Sequence, residues 1–234
     1  MPRTDGRPKV LHRLGFFATA AAILGLALAW LRLVPALVGF ALLALGGLVA
    51  IVVALSTGVQ AIRGREARLG GLLAVVVAVV FVISAAMGAG SPMMNDYTTD
   101  LADPPAFHNA QKLPANAGRD FAYPPAFAEM QRSCCADLQP LTLPLAPDGA
   151  LARARRVAER TPTWRITYAD ADSIEAISTS RLFGFQDDIV IRVRPESPGS
   201  SRVDMRSKSR DGKGDRGVNA ARIRSFMVEL ARAQ

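Results

Sequence analysis

The residues best suited to chemistry gather between Arg181 and Arg222. Asp187 and Asp188 are adjacent carboxylates, a residue type that binds hard cations or works as general acid and base. Their competing role is a hairpin turn, where Asp bonds its own backbone. Neighbouring side chains on a strand point to opposite faces, so these two should not meet on one substrate. Cations follow at Arg192, Arg194, Arg206, Lys208, Arg210, Lys213 and Arg216. Asn219 is placed to cap the last helix, with Arg222 one turn further in. A helix N-terminus offers free N–H groups and positive potential to a phosphate or carboxylate. The candidate ligand-binding set is therefore Arg181, Asp187, Asp188, Arg192, Arg206, Ser209, Arg210, Asp215, Asn219 and Arg222. The structural alternative is an internal network in which Asp187, Asp188, Asp211 and Asp215 pair with the arginines and hold loop to helix.

Other chemistries find little support. The chain has 2 histidines, His12 and His108, and neither falls in the segment that alternates and folds. A Ser-His-Asp or Cys-His arrangement would have to borrow His108. A zinc site with several His or Cys ligands and a Gly-rich nucleotide loop are equally unsupported. The 2 cysteines, Cys134 and Cys135, are adjacent and cannot staple distant segments. They could form a vicinal disulfide or pair with another chain, but a reduced, buried helix-end pair is the expectation. No catalytic residue, metal or cofactor is assigned.

Elements that would position the charged set can be read from periodicity. Trp164, Ile166 and Tyr168 alternate with Arg165 and Thr167, which predicts a strand. Further strands are expected over 173–183, 188–194 and 202–210. In the last of these, Val203, Met205, Ser207 and Ser209 face one way and Arg202, Asp204, Arg206, Lys208 and Arg210 the other. Helices are expected over 125–134, over 148–160 with Asp148 as N-cap, and over 219–233 with Ile223, Phe226, Met227 and Leu230 inward. The prediction is a four-stranded antiparallel sheet packed on helices, with its other face polar. Residues 91–122, rich in Pro, Asp, Thr and Asn and lacking periodicity, read as an extended linker, and 123–234 as the α+β domain.

Ahead of all this stand uncharged apolar runs over 14–31, 33–55 and 69–90. Each matches the roughly 20 residues a helix needs to cross a bilayer, so residues 1–90 read as a transmembrane anchor. Ala27-Leu28-Ala29 resembles a signal-peptide cleavage site, but the length of the run and the second run close behind favour a retained span. Arg3, Arg7, Lys9 and Arg13 precede the first run, and Arg63, Arg65 and Arg68 precede the third. Only Arg32 lies between the first two. Positive flanks stay cytoplasmic, which predicts a bacterial inner-membrane protein with a cytoplasmic N-terminus and a periplasmic or extracellular C-terminal domain. Residues 1–90 hold 8 basic and 2 acidic residues, so most of the net charge of +8 belongs to the anchor. Nucleic acid is therefore not an expected partner; the lipid bilayer is, with an anionic envelope ligand or another membrane protein as further candidates.

Motifs in the exported part resemble a known family. Asn95-Asp96-Tyr97-Thr98-Thr99-Asp100, Arg181-Leu182-Phe183-Gly184-Phe185-Gln186-Asp187-Asp188, Ser207-Lys208-Ser209-Arg210 and Asp215-Arg216-Gly217-Val218-Asn219-Ala220-Ala221-Arg222-Ile223 occur in order. They resemble the bacterial and plastid family called domain of unknown function 1499, over about 94–230. The resemblance implies an exported or lumenal domain, often behind membrane spans, and no established activity. Tyr97 and the cysteine pair depart from the family's usual pattern. The leading expectation is a membrane-tethered binding or interaction module for an anionic envelope ligand or lipid head group. The alternatives are a carboxylate- or metal-dependent envelope hydrolase using Asp187, Asp188 or Asp215, and a membrane assembly subunit in which Gly25, Ala29, Gly46 and Gly47 permit close helix contacts.

Overall fold

The computed structural model of the protein describes residues 7–233. The chain forms two compact units, the second comprising residues 90–180 and 185–233 among those described.

The first unit holds three helices: α1 (Arg7–Trp30), α2 (Ala36–Ile62) and α3 (Leu69–Ala86). All three are long and apolar enough to cross a membrane, which marks a membrane protein. Only 22–28% of each apolar window is buried within the protein, so most of these side chains face outward, as lipid contact requires. The helix bounds differ from the uncharged runs. The first span begins at Lys9, because Lys and Arg at a helix end do not stop the helix. Pro35 delays the start of α2 to Ala36, and α3 ends at Ala86. Arg3 lies outside the described residues. Small residues make the interhelix contacts: a Cβ on Gly25 would lie 2.7 Å from the Gly39 carbonyl oxygen, and one on Gly46 2.7 Å from that of Ala18. His12 Nδ1 accepts the Gly70 N–H at 3.1 Å, tying α1 to α3.

The second unit is an α+β fold. Its strands are β1 (Asp96–Thr98), β2 (Leu141–Leu143), β3 (Trp164–Ala169), β4 (Ser173–Thr179), β5 (Gln186–Ser197) and β6 (Ser200–Ser209). Its helices are α4 (Pro125–Cys134), α5 (Pro147–Arg160) and α6 (Val218–Arg232). The sheet is antiparallel, in the order β1-β6-β5-β4-β3, with β2 also on β6. Six strands replace the four predicted. β1 and β2 have 3 residues each, too few to show alternation. They lie end to end along one edge of β6, opposite Arg206–Lys208 and Ser201–Val203 respectively.

One sheet face follows the alternation as read. Ile174, Ala176, Ile189, Ile191, Val193, Val203 and Met205 form the core with Ala154 and Val157 of α5 and Ile223, Phe226 and Leu230 of α6. Trp164 stacks on Phe226 with centroids 5.3 Å apart. Neither helix cap is the residue expected. Asp148 falls inside the first turn of α5, because Pro147 starts that helix without a side-chain cap. At α6 the acceptor is Asp215, which takes the Gly217 N–H at 2.8 Å and the Asn219 N–H at 2.7 Å. Gly217 makes the turn with φ +81°, a conformation strained for any larger residue.

The other face departs furthest from expectation. It is charged, as predicted, but residues 99–122 of the presumed linker, continued by Tyr123, lie across it. Phe107 and Ala110 pack on Val190 of β5, with Phe121 alongside. Glu175 on β4 is 0% exposed and accepts the N–H groups of His108 (2.5 Å), Asn109 (2.9 Å) and Ala110 (2.6 Å). A carboxylate at the first turn of a short 3₁₀ helix (Ala110–Lys112) satisfies donors that would otherwise be orphaned. This cover has no periodicity because charge and backbone bonds, not an apolar stripe, hold it. Replacing Glu175 with Gln keeps the shape and removes the charge. The expected loss is about 2–3 kcal/mol, the scale of a charge-assisted hydrogen bond. It should appear as a lower melting temperature and faster amide exchange at His108–Ala110.

Candidate functional site

The predicted site residues separate by strand parity. Asp187 turns toward α6, where its Oδ2 accepts Arg222 Nη2 at 2.5 Å. Arg222 Nη1 also donates to Ser207 Oγ (3.0 Å) and to Asn219 Oδ1. Asn219 receives Ser207 Oγ at 2.5 Å and donates to Ser209 Oγ at 2.8 Å. Asp187, Ser207, Ser209, Asn219, Arg222 and the Asp215 cap thus form one polar knot at the start of α6. Burial raises the Asp215 carboxyl above its ordinary value, against the N–H bonds of Asn219 and Gly217 that lower it. Nearby Tyr97 is fully buried, and its hydroxyl has no hydrogen-bond partner among the described residues. Burial, and then the Asp215 charge, push that phenol up to about 12, so it stays neutral.

Asp188 turns to the cover. It accepts Arg210 through Nε (3.0 Å) and Nη2 (2.6 Å) and Asn116 Nδ2 at 3.0 Å, with Arg119 Nη1 at 3.6 Å. Arg206 forms a fork with Asp96 at 2.9 and 2.7 Å, and Lys208 reaches the same carboxylate at 3.0 Å. Arg206 also donates to the Phe121 carbonyl at 2.8 Å and lies over the rings of Phe107 and Tyr123. Further along β5 and β6, Arg192, Arg194 and Arg202 share Asp100 and Asp204, with Asp103 at the outer edge. Arg181 is apart from both networks, exposed in the loop joining β4 to β5.

A groove of about 970 Å³ opens between the cover and α4. Arg206 lines it from β6, with Phe107, Gln111, Arg119, Phe121 and Tyr123 of the cover and Glu129 and Arg132 of α4. Gln131, also on α4, fixes this wall. Its side chain accepts the Thr98 N–H (3.1 Å) and donates to the Thr98 carbonyl (2.6 Å), while Tyr123 donates its hydroxyl to Gln131 Oε1 (3.1 Å). Burial, and then Asp96, raise the Tyr123 phenol far above its ordinary value. Gln131, Glu175, Asn116, Arg119 and Tyr123 were not among the expected site residues. Only Glu175 carries a signal, as an acid set between Ile174 and Ala176 in a strand. Among the described residues no cluster of three or more His, Cys, Asp or Glu side chains could hold a metal ion.

This is a charge-locked α+β domain following three apolar helices. The chain belongs to the family described as "Protein of unknown function (DUF1499)", whose profile matches residues 96–230. The match covers the whole charged cover, both networks and most of α6. No curated protein shows significant similarity to the chain.

The networks carry a pH signature. Burial alone would raise the Asp100 carboxyl, but the N–H groups of Asp103 and Ala102 and the guanidiniums of Arg202 and Arg192 outweigh it and hold it below its ordinary value. A depressed carboxylate contributes stability above its unfolded pKa of about 3.9 and loses it as pH falls through the lower folded value. Melting temperature should therefore fall below pH 4 in wild type. In Asp100→Asn it should start lower at pH 7 and lose less over the same acid range.

Proposed function

We propose that this protein is a membrane-tethered binding module. Its ligand is an anionic molecule held in the groove between the cover and α4. The supporting observation is the ratio of charges under and beside that groove. Asp96 serves both Arg206 and Lys208, and Asp188 serves both Arg210 and Arg119. Two cations sharing one carboxylate leave positive potential, which a low-dielectric wall of rings strengthens. Arg132 extends it to the rim, exposed to solvent. Asp120 and Glu129 also border the groove; they offset part of that potential and can accept hydrogen bonds. An anion that carries hydroxyl or amine groups therefore fits better than a bare phosphate. Lipid head groups and acidic saccharides share that chemistry.

The same proposal sets the address. Basic residues flank the first and third spans on one side, so the N-terminus is cytoplasmic in a bacterial inner membrane, with the domain on the periplasmic or outer side. Tethering there places the groove in the envelope. Opposed faces and arginine partners leave Asp187 and Asp188 poorly suited to hydrolysis, which favours recognition over catalysis.

The full chain in detergent should bind short-chain phosphatidylglycerol or an acidic oligosaccharide, and neither phosphatidylcholine nor a neutral oligosaccharide. Arg132→Ala, which disturbs no network, should weaken binding about tenfold, the scale of one charge-assisted hydrogen bond. Isothermal titration checks this. Absence of binding by wild type, or equal binding by Arg132→Ala, removes the proposal.

A further inference from the structure

α4 ends at an adjacent pair of cysteines. Cys134 and Cys135 are joined as a vicinal disulfide, not the reduced pair expected from sequence. The two sulfurs sit in different environments. Cys134 is exposed and lines a second groove, about 540 Å³, with Pro92, Met130 and Ser133. Cys135 is 7% exposed and belongs to the hydrophobic core. A thiolate arriving from solvent can therefore reach one sulfur only.

The main chain beside this pair leads directly to the first groove. The Gln131 carbonyl accepts the Cys135 N–H at 2.8 Å and lies 3.9 Å from Cys134 Sγ. The Gln131 side chain is the clamp on Thr98 and Tyr123 described above. One residue thus joins the disulfide to β1 and to the wall of the first groove.

We infer that Cys134–Cys135 is a thiol–disulfide exchange site whose redox state sets how firmly Gln131 holds that wall. The reductant class is a dithiol. Its first thiolate attacks Cys134 Sγ and the Cys134–Cys135 bond breaks. The electron pair goes to Cys135 Sγ, which takes up a proton. The second thiol of the reductant then attacks the mixed disulfide, releasing Cys134 as a thiol and leaving the reductant as its own disulfide. Two electrons and two protons pass to the protein. The new Cys134 thiol can donate to the second lone pair of the Gln131 carbonyl, a side-chain back-bond of the kind that bends and weakens a helix turn. That back-bond, with the cross-link gone, loosens the last turn of α4.

The test uses the full chain in detergent, purified without reductant. Maleimide labelling followed by mass spectrometry should find no labelled cysteine before dithiothreitol and two after it, Cys134 reacting faster. Glutathione disulfide should modify Cys135→Ser at Cys134 and leave Cys134→Ser nearly unmodified. In wild type, reduction should speed amide exchange at Thr98 about five- to tenfold, the scale of weakening one ordinary hydrogen bond. Labelling without reductant, or equal rates at both sulfurs, overturns the exchange site. Two labels with unchanged exchange at Thr98 overturn the switch.

Discussion

The Glu175 carboxylate is buried on a sheet face closed to water, and no cation pairs with it among the described residues. Burying an isolated carboxylate is prohibitively costly unless hydrogen bonds replace its water. Three successive backbone N–H groups do so, and they come from the segment that shuts the face. The carboxylate and the cover are thus mutually required. Without the cover Glu175 has no donors beyond solvent; without Glu175 the first turn of the cover has no acceptor. Val190, Phe107 and Ala110 supply the small apolar patch beneath this contact. Ile177, two residues along β4 from Glu175, is buried on the same face, and most of the other side chains there are charged.

The ionic remainder follows the same logic. Buried pairs give little net stability compared with an apolar core, yet removing one member is expensive because the other is left uncompensated. Asp96, Asp188 and Asp204 are each 0% exposed, so every cation that reaches them is held in place. The result is a domain whose two layers obey different physics. The helical side is an ordinary hydrophobic core. The cover side is a set of interlocked charges that fixes where Arg119, Tyr123 and Arg206 stand, and so gives the groove its shape and potential. α4 completes the groove through Gln131, a neutral clamp that ties its far wall to β1.

Much of this fold is legible from alternation. β5 and β6 place Ile189, Ile191, Val203 and Met205 on one face and Arg192, Arg194, Arg206 and Lys208 on the other, as period two requires. The same rule sends Asp187 and Asp188 to opposite networks. β1 and β2 escape because three residues cannot show a period. The cover escapes for a deeper reason: its order comes from partners distant in sequence, such as Asp188 for Asn116 and Arg206 for the Phe121 carbonyl. No local pattern of hydropathy encodes those bonds. Asp215 displaces Asn219 as the cap of α6 because the turn at Gly217 brings an earlier side chain over the helix start. The charged set itself was readable, but whether its members face solvent or one another depends on the cover.

Residues 99–123 are an integral layer of the domain, locked by buried charge, and not a linker to it. Hydrogen exchange on the full chain in detergent tests this directly. The amides of His108, Asn109 and Ala110 should be protected to a degree comparable with those of β5, and should lose that protection together with β5 on global unfolding. Rapid exchange at those amides while β5 remains protected would contradict it.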